Sequence, residues 1–77
     1  MVTPDSIKAS IDRGIPCDVL EVAGDGQHFE ALIVSSAFRG LSRLARHRLV
    51  YAALGDRMRA EIHALSMQTL TPEESDG

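Results

Sequence analysis

The sequence predicts an α+β fold, a three-stranded sheet with helices on one face, and three observations carry that reading. A capped amphipathic segment opens the chain, with Ile7 and Ile11 four residues apart on one helix face. Two runs rich in β-formers flank the turn Gly24-Asp25-Gly26-Gln27. A helical stretch then leads into a third alternating run, Ile62 to Thr69.

The elements follow in order. Thr3 is a favoured helix N-cap, with Pro4 at the first helical position. Val2 and Ile7 have the spacing of a hydrophobic staple, and Gly14 and Pro16 end the segment, so a helix is expected over residues 4–13. Residues 17–23 hold Val19, Leu20 and Val22 and read as a strand. His28 to Ser35 reads as a second strand, with Phe29, Ala31 and Ile33 on one face. Leu32 and Val34 make its other face apolar too, which suggests a central position in the sheet. Phe38 to Gly40 is a connector, and Ser42 can cap a helix over residues 43–58.

In that helix Leu44, Val50, Tyr51, Leu54 and Met58 are expected to form the buried stripe. Gly55 would weaken it by roughly 1 kcal/mol relative to alanine. The third strand arrives by a helical crossover and so can pair parallel to its neighbour. Thr71 to Gly77 is polar and acidic and is expected to fray. The chain is thus read as a single domain over residues 1–71 with an acidic disordered tail, 72–77.

A chain of 77 residues holds one small domain, which buries only roughly 60% of its unfolded surface. Little interior is left for a deep substrate pocket. The formal net charge of −3 counts against a general phosphate-backbone binder. Yet Arg39, Arg43, Arg46 and Arg48 crowd into ten positions and could form a local cationic patch. Cys17 is the single cysteine, so no internal disulfide forms. No leader peptide or membrane span is recognisable, and a cytoplasmic or organelle-matrix protein is the default expectation.

Few side chains could carry chemistry. Cys17, His28, His47 and His63 are the soft-metal or nucleophile candidates, and no two lie within five residues of each other. A closed zinc site takes four ligands and would need nearly all of them, so an autonomous metal site is disfavoured. Cys17 reads as a small buried residue at a strand start. His47 falls within the expected apolar stripe and reads as half-buried and hydrogen-bonded, with Arg46 and Arg48 beside it in solvent. Asp5, Asp12, Asp18 and Glu21 are scattered, and no acid–base constellation suggests an enzyme. A Gly-x-x-Gly loop, the backbone clamp of a KH domain, is absent.

Three stretches resemble the BolA family. They are Gly24-Asp25-Gly26-Gln27-His28-Phe29 with Val34-Ser35-Ser36-Ala37-Phe38-Arg39-Gly40, then Arg46-His47-Arg48-Leu49-Val50-Tyr51-Ala52-Ala53-Leu54, and Ile62-His63-Ala64-Leu65-Ser66-Met67-Gln68-Thr69-Leu70-Thr71-Pro72-Glu73-Glu74. The resemblance implies a class II KH-like fold, α-β-β-α-α-β, which divides the long helical stretch in two. It implies a non-enzymatic adaptor for iron–sulfur trafficking or iron regulation, working with a monothiol glutaredoxin, glutathione and a shared [2Fe–2S] cluster. No cofactor is expected on the isolated chain, which would be a monomer or weak homodimer away from membranes.

In that family the histidine of the Ile-His-Ala motif is a cluster ligand, and its match is His63. A second ligand, Cys or His, comes from the loop between the first two strands. Residues 23–27 hold neither, and His28 at the loop's end is the nearest match. Imidazole in place of thiolate raises a cluster's potential and makes the ligand set titratable. The family is also credited with DNA-binding transcriptional regulation, which here would use Arg39, Arg43, Arg46 and Arg48.

Overall fold

The computed structural model describes residues 2–56 and 64–76. Helix α1, Pro4–Gly14, starts as its sequence dictates. The Thr3 hydroxyl accepts from the Ser6 N–H (3.1 Å), while the Ser6 hydroxyl accepts from the Thr3 N–H (3.0 Å). Two otherwise unpaired N–H groups are thereby satisfied. Ile7 and Ile11 are buried beside Val2, as the staple predicts.

Strand β1, Val19–Gly24, begins two residues later than expected, because its first residue pairs with Val34, the last residue of the second strand, and nothing in that strand remains opposite residues 17 and 18. Strand β2, His28–Val34, lies between β1 and β3, Ala64–Leu70. The central position and the parallel third strand are both as expected. β1 runs antiparallel to β2 from Val19↔Val34 to Gly24↔Phe29, and β3 runs parallel to it from His28↔Ala64 to Val34↔Leu70. The period of two then sorts the side chains. Phe29, Ala31 and Ile33 face the core, joined there by Leu20, Val22, Leu65 and Met67 from the neighbouring strands.

A single 3-10 turn, Ser36–Phe38, follows β2 where a plain connector was expected. Ser35 organises it. Its hydroxyl donates to the Pro16 carbonyl and accepts from the Ala37 N–H (3.1 Å), and its own N–H donates to the Leu70 carbonyl (2.9 Å). The turn swings Phe38 fully into the core.

Helix α2, Arg43–Leu54, is capped by Ser42, whose hydroxyl accepts from the Ala45 N–H (3.1 Å). It stops four residues short of the predicted end, with Gly55 acting as its C-cap and not as an interior weak point. Met58 lies outside the described residues. So does the further helix that the α-β-β-α-α-β pattern places before β3. Val50 and Leu54 are buried as predicted, but Leu44 is 59% exposed and Tyr51 is exposed as well. Six residues at 3.6 per turn set Leu44 about 120° around the helix from Val50. The line that faces the sheet runs from Leu54 through Val50 to Arg46 and His47.

The acidic tail expected to fray is instead a short helix, α3, Pro72–Asp76. Thr71 caps it: the Glu74 N–H donates to the Thr71 hydroxyl (3.1 Å), and the Glu74 carboxylate accepts from the Thr71 N–H (2.8 Å). This is a second reciprocal capping box. The α+β class and the three-stranded mixed sheet stand as predicted.

Candidate functional site

His28 opens β2 at the end of the hairpin turn and is exposed. The turn is built on Asp25, whose carboxylate accepts from the N–H groups of Gln27 and His28, both at 2.9 Å. Those two donors hold its carboxyl below the usual carboxylate range. The backbone of His28 is therefore fixed at both faces, since its carbonyl also accepts from the Asp25 N–H (3.2 Å). The imidazole is left to project from an anchored position.

Gly24 supports this placement. A Cβ there would lie 2.5 Å from the His28 carbonyl oxygen and 2.5 Å from Phe29 Cδ1. Gly24→Ala must push backbone or a core ring aside, and it is expected to cost about 1–3 kcal/mol. Urea denaturation would measure this, and a midpoint equal to the parent's would show that the hairpin end is slack.

The cross-strand partner of His28 is Ala64, the residue that follows His63 in the chain. His63 itself, the principal ligand implied by the family resemblance, lies outside the described residues. Among the described residues no three His, Cys, Asp or Glu side chains gather to hold a metal. Cys17 lies apart from the hairpin, where its thiol donates to the Ile15 carbonyl (3.2 Å). Burial, with Asp12 and Asp18 nearby, pushes that thiol's pKa up, the opposite of what a reactive thiolate needs.

His47 is half-buried, as read from the sequence; its Nε2 is buried and, where a hydrogen bond was expected, has no partner among the described residues. It lines a cleft of about 580 Å³ between α2 and β3, together with Leu41, Arg43, Arg46, Gln68 and Glu74.

The four clustered arginines divide into two kinds. Arg43 and Arg48 are exposed. Arg39 forms a two-pronged pair with Glu73, its Nε donating at 2.7 Å and its Nη2 to the second oxygen. Arg46 was expected in solvent, yet its side chain is only 13% exposed. Its Nε donates to the Leu41 carbonyl and its Nη1 to the Thr69 carbonyl, both at 3.0 Å. The outer edge of its guanidinium meets the Glu74 carboxylate at 2.6 and 3.3 Å. The group also lies 6.0 Å from the centroid of the Phe38 ring. Arg46 and the Thr71 N–H together lower the Glu74 pKa to about 2. Sequence reasoning passed over Glu73 and Glu74, although the spacing Thr71-Pro72-Glu73-Glu74 is itself the signature of a capped helix.

Comparison with known proteins places the chain. The family model described as BolA-like protein matches residues 2–74. A bolA protein homologue from Coxiella burnetii has the same fold, with a TM-score of 0.88, 47% identity and 100% of both chains covered. BolA-like protein 1 of Mus musculus is 37% identical over 79 residues, covering 90% of this chain. The chain spans 58% of that relative's length. A relative in Escherichia coli (strain K12) named DNA-binding transcriptional regulator BolA is 38% identical over 55 residues, covering 71% of this chain and 52% of its own length. The protein belongs to the BolA-like family.

Proposed function

We propose that the chain is an adaptor that shares a [2Fe–2S] cluster with a monothiol glutaredoxin and glutathione, in iron–sulfur trafficking or iron regulation. One observation supports this most directly. The sheet register sets exposed His28 against Ala64, the residue that follows His63 in the chain. His63 and His28 would hold the cluster from this side. The hairpin supplies no thiol, and the described residues offer too few donors for a site of their own. A donor set that is incomplete alone suits a cluster completed by a second protein. The residues' own task would be positional: the Asp25 turn fixes the backbone that carries His28, and protons compete with metal for each imidazole.

The test is to mix the chain with a glutathione-loaded monothiol glutaredoxin and record visible absorption and circular dichroism. His63→Ala should change the spectrum strongly. His28→Ala should change it too if this residue is the second ligand. A His63→Ala spectrum identical to the parent's removes the reading.

A second reading, a DNA-binding regulator, is favoured by the name of the Escherichia coli relative. Here it rests on Arg43 and Arg48, since Arg39 and Arg46 are engaged by carboxylates. Phosphate contacts make affinity fall steeply with salt, so Arg43→Ala with Arg48→Ala should flatten that slope by roughly two contacts' worth. Absence of DNA binding by the parent and by every charge variant would dismiss it.

A further inference from the structure

Helix α3 has no buried residue and is only five residues long, so neither packing nor intrinsic helicity holds it down. Its tethers are the Thr71 capping box and two carboxylate–guanidinium pairs. The Arg39–Glu73 pair is open to water on both sides, with side chains 56% and 61% exposed. Pairs of that kind are weak and yield to salt and competing anions.

The arginine side of the contact is differently made. Arg46 is locked by the Leu41 and Thr69 carbonyls, so its outer N–H edge is aimed before any anion arrives. A fixed guanidinium fork accepts a carboxylate or a phosphate equally well. Arg43, three residues before Arg46 and so about 60° from it around the helix, has no such partner among the described residues, whereas Arg48 lies about 160° away. A preorganised cationic face of Arg39, Arg43 and Arg46 is thus filled by two carboxylates on a loosely held helix.

We propose that α3 is a built-in competitor: Glu73 and Glu74 occupy the arginine face and keep it from double-stranded DNA phosphates until the helix is displaced. This rests on the DNA-binding reading and adds a gate to it. Release of α3 would raise the arginines available on that face from one, Arg43, to three, with Arg39 and Arg46. A second protein presenting an acidic segment could displace α3 in the same way and is one of the outcomes below.

The experiment follows binding of a duplex of about 20 base pairs by fluorescence anisotropy across a salt series, each phosphate contact contributing about 0.9 to the slope of log affinity against log salt. The proteins are the parent, Glu73→Gln/Glu74→Gln, and a charge-matched control, Asp12→Asn/Glu21→Gln, altered on exposed residues away from α3. The two substitutions remove both ion-pair tethers and leave α3 held by the capping box alone, which does not hold a five-residue helix against the arginine face. Single Glu73→Gln removes only the exposed pair and guards against misfolding of the double variant. The double variant should steepen the slope by about 1.8 and raise low-salt affinity at least tenfold, and Glu73→Gln should steepen it by about 0.9, while the control leaves it unchanged.

A parent that binds DNA with the same slope as the double variant overturns the gate and leaves the DNA reading standing. A rise shared equally by the control also overturns it, as a net-charge effect. If no variant binds DNA, both readings fall. If the double variant instead gains affinity for a polyglutamate peptide and none for DNA, the gate belongs to an acidic protein partner and the proposal as stated is wrong.

Discussion

Phe38→Ala is expected to remove about 3–5 kcal/mol of stability, the usual cost of emptying a buried aromatic site. A domain of 77 residues has a total stability of roughly 4–12 kcal/mol, at about 0.05–0.15 kcal/mol per residue. One substitution on a surface turn should therefore leave the protein close to half unfolded at the weak end of that range. The reason is local. Ser35 fixes the 3-10 turn through the Pro16 carbonyl on one side and the Leu70 carbonyl on the other, and Phe38 is the wedge this turn drives inward. Its ring has no exposed surface and belongs to the same cluster as Ile33, Val50 and Leu54. The turn cannot simply close over the hole, because Ser35 at its start is tied both to the loop before β1 and to the end of β3. Urea denaturation gives the measurement. Phe38→Leu, which keeps most of the volume, should cost under about 1.5 kcal/mol. A loss below about 1 kcal/mol for alanine would mean that the core collapses freely around position 38.

How much of this was legible in the sequence differs from residue to residue. The hairpin is legible because Asp25-Gly26 is a strong local turn signal, and its register follows once Phe29, Ala31 and Ile33 must share the core face. Helix α1 is legible through Thr3, Pro4 and the Ile7–Ile11 step. The same grammar recurs at Thr71-Pro72-Glu73-Glu74, where the acidic composition of the segment argues against it for fraying. The exposure of Leu44 was also within reach, since its angle from Val50 is simple arithmetic on helical pitch.

Other features were not legible. Arg46 is joined to Thr69 and Glu74 across separations of 23 and 28 residues, and no local pattern records such pairings. Charge counts assign it to solvent, and only the folded chain brings the Leu41 and Thr69 carbonyls to it. For the candidate site, the sequence identifies His28 and His63 as candidates through family resemblance. What it cannot convey is that the parallel register sets His28 opposite Ala64, because pairing across the crossover depends on the whole fold.

Arg46→Ala should be the most damaging change to any charged residue of the described chain. It leaves the Leu41 and Thr69 carbonyls without their donor, uncovers the Phe38 ring and deprives Glu74 of its cation. Stranded part-buried acceptors cost about 1–3 kcal/mol each and do not add fully, so a total near 2–3 kcal/mol is expected. In a domain of this size that lowers the melting temperature by roughly 10–20 °C. Thr69 lies on an edge strand, and losing its cover also frees part of that edge to pair with other chains. Lysine should rescue poorly, since one ammonium cannot reproduce the fork that reaches two carbonyls and a carboxylate together.

The effect carries a pH signature that separates the ion pair from the carbonyl contacts. Glu74 has its pKa lowered to about 2 in the folded state from an ordinary value of 4.5, so its contribution is complete above the unfolded value and is lost as pH falls toward the folded one. The gap between parent and Arg46→Ala should therefore narrow between about pH 5 and pH 2 without closing, because the carbonyl contacts do not titrate. Carboxyl-carbon NMR on the variant should show Glu74 titrating at higher pH than in the parent. A gap that stays constant through that window would place the whole effect on Leu41 and Thr69. A melting temperature equal to the parent's at neutral pH would show that the guanidinium does not hold helix, strand edge and C-terminal turn together.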